Sequence, residues 1–187
     1  MNTLGKINII LMAAIIVSSL SACGKTAGED GSDIFGVYGD TVAGLEGQKY
    51  YAVVETNAEN PVLLVTNSCY DDEKGNQVSM DATVYYEVDG VVKNIGMVNS
   101  LGTAYPIAYD KTGIYAGGGH GMQRYEIDEA GGLTLAEGAY VTYDEDGNAS
   151  FAIEDYGSVT VSSEEEYQKI WDKYESATVV NFTSSAK

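Results

Sequence analysis

The feature that most constrains the fold of this chain is a recurring unit of two strand-like segments around a short acidic turn that contains glycine. The three units pair residues 82–88 with 91–98, 123–127 with 133–137, and 141–143 with 150–153. Asp89-Gly90 joins the first pair, and Asp-Gly between two strand-like segments indicates a hairpin because both turn positions require a positive φ. Since little helix separates the strands, the pattern predicts antiparallel sheets.

Further strands and one helix are indicated outside these units. Residues 50–55 and 62–66 are apolar and β-branched, with a turn cluster between them, and residues 178–182 are typical of a last strand. Ser163 followed by Glu166 forms a capping box. The apolar positions that follow are spaced for a single helical face; they are Tyr167, Ile170, Trp171 and Tyr174. The pattern predicts a helix over about 164–175.

Residues 51–65 resemble a degenerate FG-GAP or integrin-α-type propeller repeat, in which a strand leads into an Asp-x-Asp-x-Asp-Gly loop and a second strand. Glu55, Asn57, Glu59 and Asn60 stand at the loop positions. A closed propeller needs at least ~4 blades of ~40–50 residues, and the part of the chain expected to fold, without leader, tether and tail, has room for about three. The predicted fold class is therefore mainly β, with antiparallel hairpins in an open, incomplete propeller-like arrangement and one C-terminal helix covering an exposed edge.

The beginning of the chain carries an export signal. Lys6 precedes an apolar run over 7–17, and then comes Leu20-Ser21-Ala22-Cys23. This ending resembles a bacterial lipobox, which implies cleavage before Cys23 and a diacylglycerol on its sulfur; a plain signal peptide or a short anchor is the alternative. Short lipoproteins of gut-type Firmicutes are similar.

These signals predict a division into a lipoprotein signal peptide (1–22), a lipidated tether (23–33), a β-rich domain (34–182) and a frayed tail (183–187). The expected location is the outer face of the cell membrane. Gly24 is not the Asp that indicates retention at the inner membrane of a Gram-negative cell. A Gram-positive membrane and an outer membrane stay open, and the Firmicutes resemblance favours the first.

The formal net charge of −18 excludes classes of partner. Nucleic acid phosphates need Lys and Arg, which are scarce here, and anionic lipid repels an acidic domain. The acidic surplus has two readings, a well-solvated surface or a binding site for a divalent cation.

The loop 144–148 is a candidate calcium site. Asp144, Asp146 and Asn148 stand at alternate positions, as in many calcium loops, and Ca²⁺ prefers such oxygen ligands. No acid closes the loop as it would in an EF-hand, so the alternative is a solvated hairpin turn. Ca²⁺ is the one cofactor that this pattern suggests.

Three residues are candidates for chemistry elsewhere. His120, the only histidine, lies in the glycine-rich stretch 117–121 and could act as a general base with a carboxylate. The alternative for that stretch is a mobile or tightly bent connection before a strand. Arg124 and Tyr125 could bind a ligand carboxylate or an aromatic group, although a lone Arg more often pairs with a local acid.

No catalytic motif is recognisable in the sequence. There is no Gly-x-Ser-x-Gly, no His-Glu-x-x-His and no Cys-x-x-Cys, and one His with Cys69 cannot provide the usual zinc ligand sets. We therefore expect an extracytoplasmic binding or scaffold module for a protein or a glycan. The alternatives are a calcium-stabilised structural module, or a hydrolase that uses His120.

Overall fold

The computed structural model describes residues 36–47 and 49–185. The predicted signal peptide, the lipidation of Cys23 and the tether over 23–33 lie outside these residues and stay predictions. Within them, two helical segments precede the first strand, a 3₁₀ turn (Gly36–Tyr38) and α1 (Gly39–Ala43), and a longer helix, α2 (Glu164–Ser176), comes near the end. No helix of the described part is long and apolar enough to span a membrane.

The described residues form fourteen strands. They are β1 (Tyr50–Val54), β2 (Val62–Thr66), β3 (Tyr70–Asp71), β4 (Gln77–Val78), β5 (Asp81–Val88), β6 (Val91–Asn99), β7 (Ala108–Asp110), β8 (Gly113–Gly118), β9 (Gly121–Ile127), β10 (Leu133–Tyr143), β11 (Ala149–Asp155), β12 (Ser158–Ser162), β13 (Thr178–Val179) and β14 (Thr183–Ser184).

The strands form two large sheets and one small ladder. The five-stranded sheet has the order β14-β1-β2-β5-β6, the seven-stranded sheet has the order β12-β11-β10-β9-β8-β7-β13, and β3 pairs with β4. Every strand pairing in these sheets is antiparallel. The predicted fold class is confirmed: the protein is mainly β, its antiparallel sheets do not close, consistent with an open propeller-like arrangement, and one C-terminal helix follows.

The central core lies between the two large sheets. Leu64, Val84 and Val98 of the five-stranded sheet join Ile114 and Ala116 of the seven-stranded sheet in one buried cluster. Alternate residues of β5 are buried, as expected for a strand with one face on a core. All of β2 is buried because its other face is also covered. That second cover is the N-terminal helical segment, which places the buried Tyr38 ring against Leu63 and Val65.

Helix α2 has the predicted cap. The Ser163 hydroxyl accepts a hydrogen bond from the Glu166 backbone N–H (3.3 Å), and the Glu166 carboxylate accepts one from the Ser163 N–H (3.4 Å). The buried Ile170 packs on Tyr115, Met122 and other side chains of the outer face of the seven-stranded sheet. The helix therefore covers a face of a sheet, and the expectation that it covers an edge was wrong.

The strand boundaries differ from the predictions in three places. Residues 133–137 and 141–143 belong to one strand, β10, which continues through a bulge between Leu135 and Glu137. Residues 117–118 lie in β8, where a connection was expected, and β12 follows β11 without having been predicted. Thr183 and Ser184, placed by the sequence in a frayed tail, pair with Tyr51 and Tyr50 of β1.

Candidate binding surface

Two groups of contacting aromatic rings lie on the side of the molecule where α2 lies, and we call them together the aromatic surface. The groups are close to each other, since Tyr143 of one affects the pKa of Tyr167 in the other. The members of the aromatic surface are Tyr105, His120, Tyr143, Phe151, Tyr167 and Trp171. Ring centroids are 5.2 Å apart for Phe151 and Tyr167, 6.0 Å for Tyr167 and Trp171, and 5.4 Å for Trp171 and Tyr105. These separations are typical of favourable edge-to-face and tilted ring pairs, so the rings hold one another in place.

Five separate segments position these rings, one of them the loop before β7 that carries Tyr105. Tyr167 and Trp171 are four residues apart on α2 and therefore share one face of it. Phe151 on β11 points to the same face of the sheet as Val141, its partner on β10, and Tyr143 lies at the end of β10. Val141 also donates its N–H to the His120 carbonyl oxygen (2.9 Å), which fixes the β8–β9 turn beside β10.

The aromatic surface is open to solvent at one end and enclosed at the other. Tyr143 is 58% exposed, whereas Tyr105, Phe151, Tyr167 and Trp171 are half-buried. Burial raises the pKa of Tyr167, and the nearby Trp171 N–H works against this rise by favouring the phenolate. That N–H is shielded from solvent and has no hydrogen bond of regular geometry within the described part of the chain. The enclosed end therefore consists of rings that pack on one another.

The exposed end contains the His120 ring. It packs edge-on against Tyr143, with 5.9 Å between centroids and 79° between planes. The hydrolase hypothesis needs a carboxylate within hydrogen-bond reach of His120; the neighbour that the structure shows for it is an aromatic ring. That hypothesis stays untested, and the present geometry gives His120 a place at the rim of the aromatic surface.

The glycines beside His120 have a packing role. A Cβ on Gly117 would lie 2.4 Å from the Gly121 carbonyl oxygen, and one on Gly118 would lie 2.8 Å from the Leu101 Cβ. The alternative prediction for residues 117–121 was a mobile or tightly bent connection. Gly117 and Gly118 are instead strand residues that let neighbouring segments approach closely. Leu101, 76% exposed, consequently lies beside the end of β8, where it forms an isolated bridge with Gly118.

A cleft of about 520 Å³ continues the aromatic surface past Trp171. The Tyr174 ring links the two, since its centroid is 6.3 Å from that of Trp171 and its side chain lines the cleft. Tyr174 donates to the Pro106 carbonyl oxygen (3.0 Å), and Tyr70 on the opposite wall donates to that of Thr103 (2.8 Å). Burial raises the pKa of Tyr174 to about 12, which extends further into alkaline pH the range in which the phenol can donate this hydrogen bond.

Arg124 and Tyr125 lie apart from the aromatic surface, and their side chains point to opposite faces of the sheet. Adjacent strand residues point to opposite faces, and Tyr125 packs against the central core while Arg124 lies on the outer face of the sheet. The Arg124 side chain is 8% exposed and donates to Glu137 (3.0 Å), to the Thr112 carbonyl oxygen (2.6 Å) and to Glu126. Its donors thus face local acids; binding of a ligand carboxylate by Arg124 and Tyr125 stays a prediction.

The loop with Asp144, Asp146 and Asn148 is closed by its own hydrogen bonds. One Asp144 carboxylate oxygen accepts from the N–H groups of Asp146 (3.0 Å) and Asn148 (2.8 Å), and the other accepts from the Asn148 side-chain amide (2.9 Å). These bonds from Asn148 lower the pKa of Asp144. The described residues contain no group of three or more His, Cys, Asp or Glu side chains that could hold a metal ion. Calcium binding at this loop stays a hypothesis.

Two other loops repeat this geometry. The pattern Asp-Glu-x-Gly followed by Asn or Gly occurs at residues 72–76, 128–132 and 144–148. In each loop the Asp carboxylate accepts from backbone N–H groups two and four positions later. The Gly has a φ of +91°, +78° or +84°. The acidic loops therefore have a common role as hairpin turns, which the recurring pattern could have indicated from the sequence.

The comparisons with known proteins give no relative. No protein-family model matches the chain, and neither a curated protein nor a solved structure matches it significantly. The aromatic surface was not predicted from the sequence, which only placed Tyr167 and Trp171 on one apolar face of a helix. The only signal was the abundance of Tyr, 15 residues, because sequence alone does not show which of them meet.

Proposed function

We propose that this chain is a surface-anchored lipoprotein that acts outside the membrane as a binding module, with the aromatic surface as its binding face. The anchor rests on the lipobox-like Leu20-Ser21-Ala22-Cys23. The binding face rests on one observation, the clustering of packed aromatic rings beside α2 with the exposed Tyr143 next to them. Tyr and Trp suit such a role because each offers a rigid apolar body with a polar tip.

A neutral glycan is the ligand that this surface suits best. Neighbouring rings from Phe151 to Tyr105 have centroids 5.2–6.0 Å apart, a spacing of the order of one sugar unit, so adjacent sugars of an extended chain can contact adjacent rings. Rings already held by their neighbours lose little conformational entropy on binding. Because the net charge of −18 disfavours anionic polymers, a neutral glycan matches this chain better than an anionic one.

The test is binding of the purified full chain, in detergent, to a panel of neutral cell-envelope polysaccharides. Tyr143→Ser removes the exposed ring, and we expect it to weaken binding at least tenfold. Tyr156→Ser is the matched control, because Tyr156 is equally exposed (60% against 58%) but its hydroxyl is bonded to Glu126, away from the aromatic surface.

Three outcomes distinguish the possibilities. Binding that Tyr143→Ser weakens and Tyr156→Ser preserves supports the proposal. Equal binding by both variants and the wild type moves the site elsewhere. If no polysaccharide binds, but crosslinking in the native envelope captures one protein through Tyr143 and not Tyr156, the ligand is a protein and the glycan assignment is wrong.

A further inference from the structure

The strand β12 is an edge without the usual protection. It is the last strand of the seven-stranded sheet, with five residues paired to β11 in continuous register. Edge strands are normally short, charged, bulged or covered. Within the described part, β13 and β14 have two residues each, and β6 pairs with β5 through a register shift and carries Lys93. In contrast, Ser158–Ser162 contains no charge and no proline, and Val159 and Val161 are 62% and 93% exposed.

The register of the β11–β12 hairpin determines which backbone groups of β12 point outward. Asp155 and Ser158 pair across the two-residue turn of Tyr156 and Gly157, whose φ values are +43° and +84°. The pair that closes such a turn exchanges hydrogen bonds, and bonded pairs alternate with unbonded ones. Ser158, Thr160 and Ser162 therefore bond to β11, while the N–H and C=O groups of Val159 and Val161 face away from the sheet.

The sequence Ser-Val-Thr-Val-Ser is the same in both directions about Thr160. When two antiparallel copies of β12 are centred on Thr160, each Val159 lies opposite Val161 of the other copy. The backbone N–H and C=O groups of both valines face outward, so the two valine pairs form four intermolecular hydrogen bonds. We infer that β12 pairs with β12 of a second copy of this chain, which makes one continuous sheet about a two-fold axis through Thr160.

The side chains of β12 also favour pairing with a second copy of the chain. Val159 and Val161 lie on the same face of β12, so the two-fold axis gathers four valines into one apolar cluster, and the two Thr160 side chains meet on the other face. The strand itself is uncharged in a chain of net charge −18, so the paired side chains of two copies do not repel one another. The overall repulsion remains, so dimerisation strengthens as salt rises.

The interface is small. A pairing of two five-residue strands falls short of the ~1,200 Å² that stable complexes bury in total. We therefore expect a weak, concentration-dependent dimer in solution.

Helix α2 lies on one face of the sheet, and the two-fold axis is perpendicular to that sheet, so both copies carry their helices on the same side.

Disulfide trapping tests the register. In full chains whose Cys23 and Cys69 are replaced by Ser, single variants Val159→Cys, Thr160→Cys and Val161→Cys are oxidised under mild conditions. The two Thr160 Cα atoms face each other at ~4.5 Å, within the range of a disulfide, whereas two copies of position 159 or 161 are offset by two residues and lie beyond ~7 Å. We expect a covalent dimer from Thr160→Cys, at least tenfold more than from either neighbour. Failure of Thr160→Cys to cross-link, or equal cross-linking by all three, overturns the inference.

Sedimentation velocity supplies the second measurement. The wild-type chain in detergent is expected to shift from monomer towards dimer with concentration, and more so at 0.5 M than at 0.05 M salt. Val161→Lys, which places a protecting lysine on the edge, is expected to stay monomeric. Val91→Lys is the matched control on β6, where Val91 is 56% exposed. A Val161→Lys chain that dimerises like the wild type would contradict the inference.

Discussion

The guanidinium of Arg124 organises the outer face of the seven-stranded sheet. Among the described residues, Arg124 is the charged side chain that the fold buries. It lies between Glu126 and Glu137, and Lys173 of α2 donates to both Glu137 carboxylate oxygens at 2.9 and 2.7 Å. Burial would raise the pKa of Glu137, but the hydrogen bonds and charges of Lys173 and Arg124 outweigh it and hold that pKa below its ordinary value. This network fastens the helix to the sheet.

We expect Glu137→Gln to destabilise the protein in a pH-dependent manner. A carboxylate whose pKa is lowered by folding contributes stability above its unfolded pKa, near 4.5, and loses it as pH falls through the folded value. At pH 7 the variant should lose about 2 kcal/mol of unfolding free energy, the scale of hydrogen bonds to charged groups.

Urea unfolding at pH 7, 4.5 and 3 measures this difference. The gap between wild type and Glu137→Gln should shrink as pH falls below about 4.5. Glu175→Gln, an exposed position on the same helix, is the control and should leave unfolding free energy unchanged at each pH. A gap that is the same at pH 7 and pH 3 would show that Glu137 does not act as a charge.

At the scale of single elements, the hairpins depend on local turn chemistry and on close backbone approach. In the three Asp-Glu-x-Gly loops, one carboxylate and one glycine of positive φ form the turn. In the β8–β9 pair, glycines with no room for a Cβ allow the close backbone approach. Both features are visible in the sequence as glycines, but the first depends on backbone conformation and the second on packing.

Gly117→Ala should destabilise the protein by about 2 kcal/mol. The added Cβ would lie 2.4 Å from the Gly121 carbonyl oxygen and 2.8 Å from the Met122 Cα, so two strands must separate, and overpacking of this kind costs ~1–3 kcal/mol. Gly119→Ala, two residues on, is the control because the nearest atom to its Cβ would be the Tyr105 hydroxyl at 3.9 Å. Thermal unfolding of both variants distinguishes this packing role from the mobile connection expected from sequence, in which both changes would be tolerated equally.

At the scale of the whole molecule, the two large sheets share one core and should unfold together. Leu64 is completely buried in the cluster that joins them. Leu64→Ala should lower the free energy of unfolding by ~2–5 kcal/mol. Trp171, the only Trp, reports on the helix side of the other sheet.

The measurement compares Trp171 fluorescence with far-UV circular dichroism in urea. Both midpoints should fall together in Leu64→Ala, because one cooperative unit has a single transition. Val91→Ala, an exposed valine of β6, should change the unfolding free energy by less than ~0.5 kcal/mol. A fluorescence midpoint that stays at the wild-type value would mean that the seven-stranded sheet and α2 unfold independently.

Local patterns determined much of this fold. The hairpin over 82–98 with Asp89-Gly90 and the helix over 164–175 were predicted almost to the residue, because turn dihedrals and a capping box act between residues a few positions apart. The mainly β class and the open sheets followed from the same patterns and from chain length.

The tertiary structure alone decided where these elements go. The continuity of β10, the edge position of β12 and the placement of α2 on a face depend on which apolar surfaces bury one another across long stretches of chain. The aromatic surface has the same origin, since Tyr105, Phe151 and Trp171 come from a loop, a strand and a helix that meet only after the sheets pack. Turn and cap signals are local and are written in the sequence, whereas burial is a property of the whole chain and appears only when the core has formed.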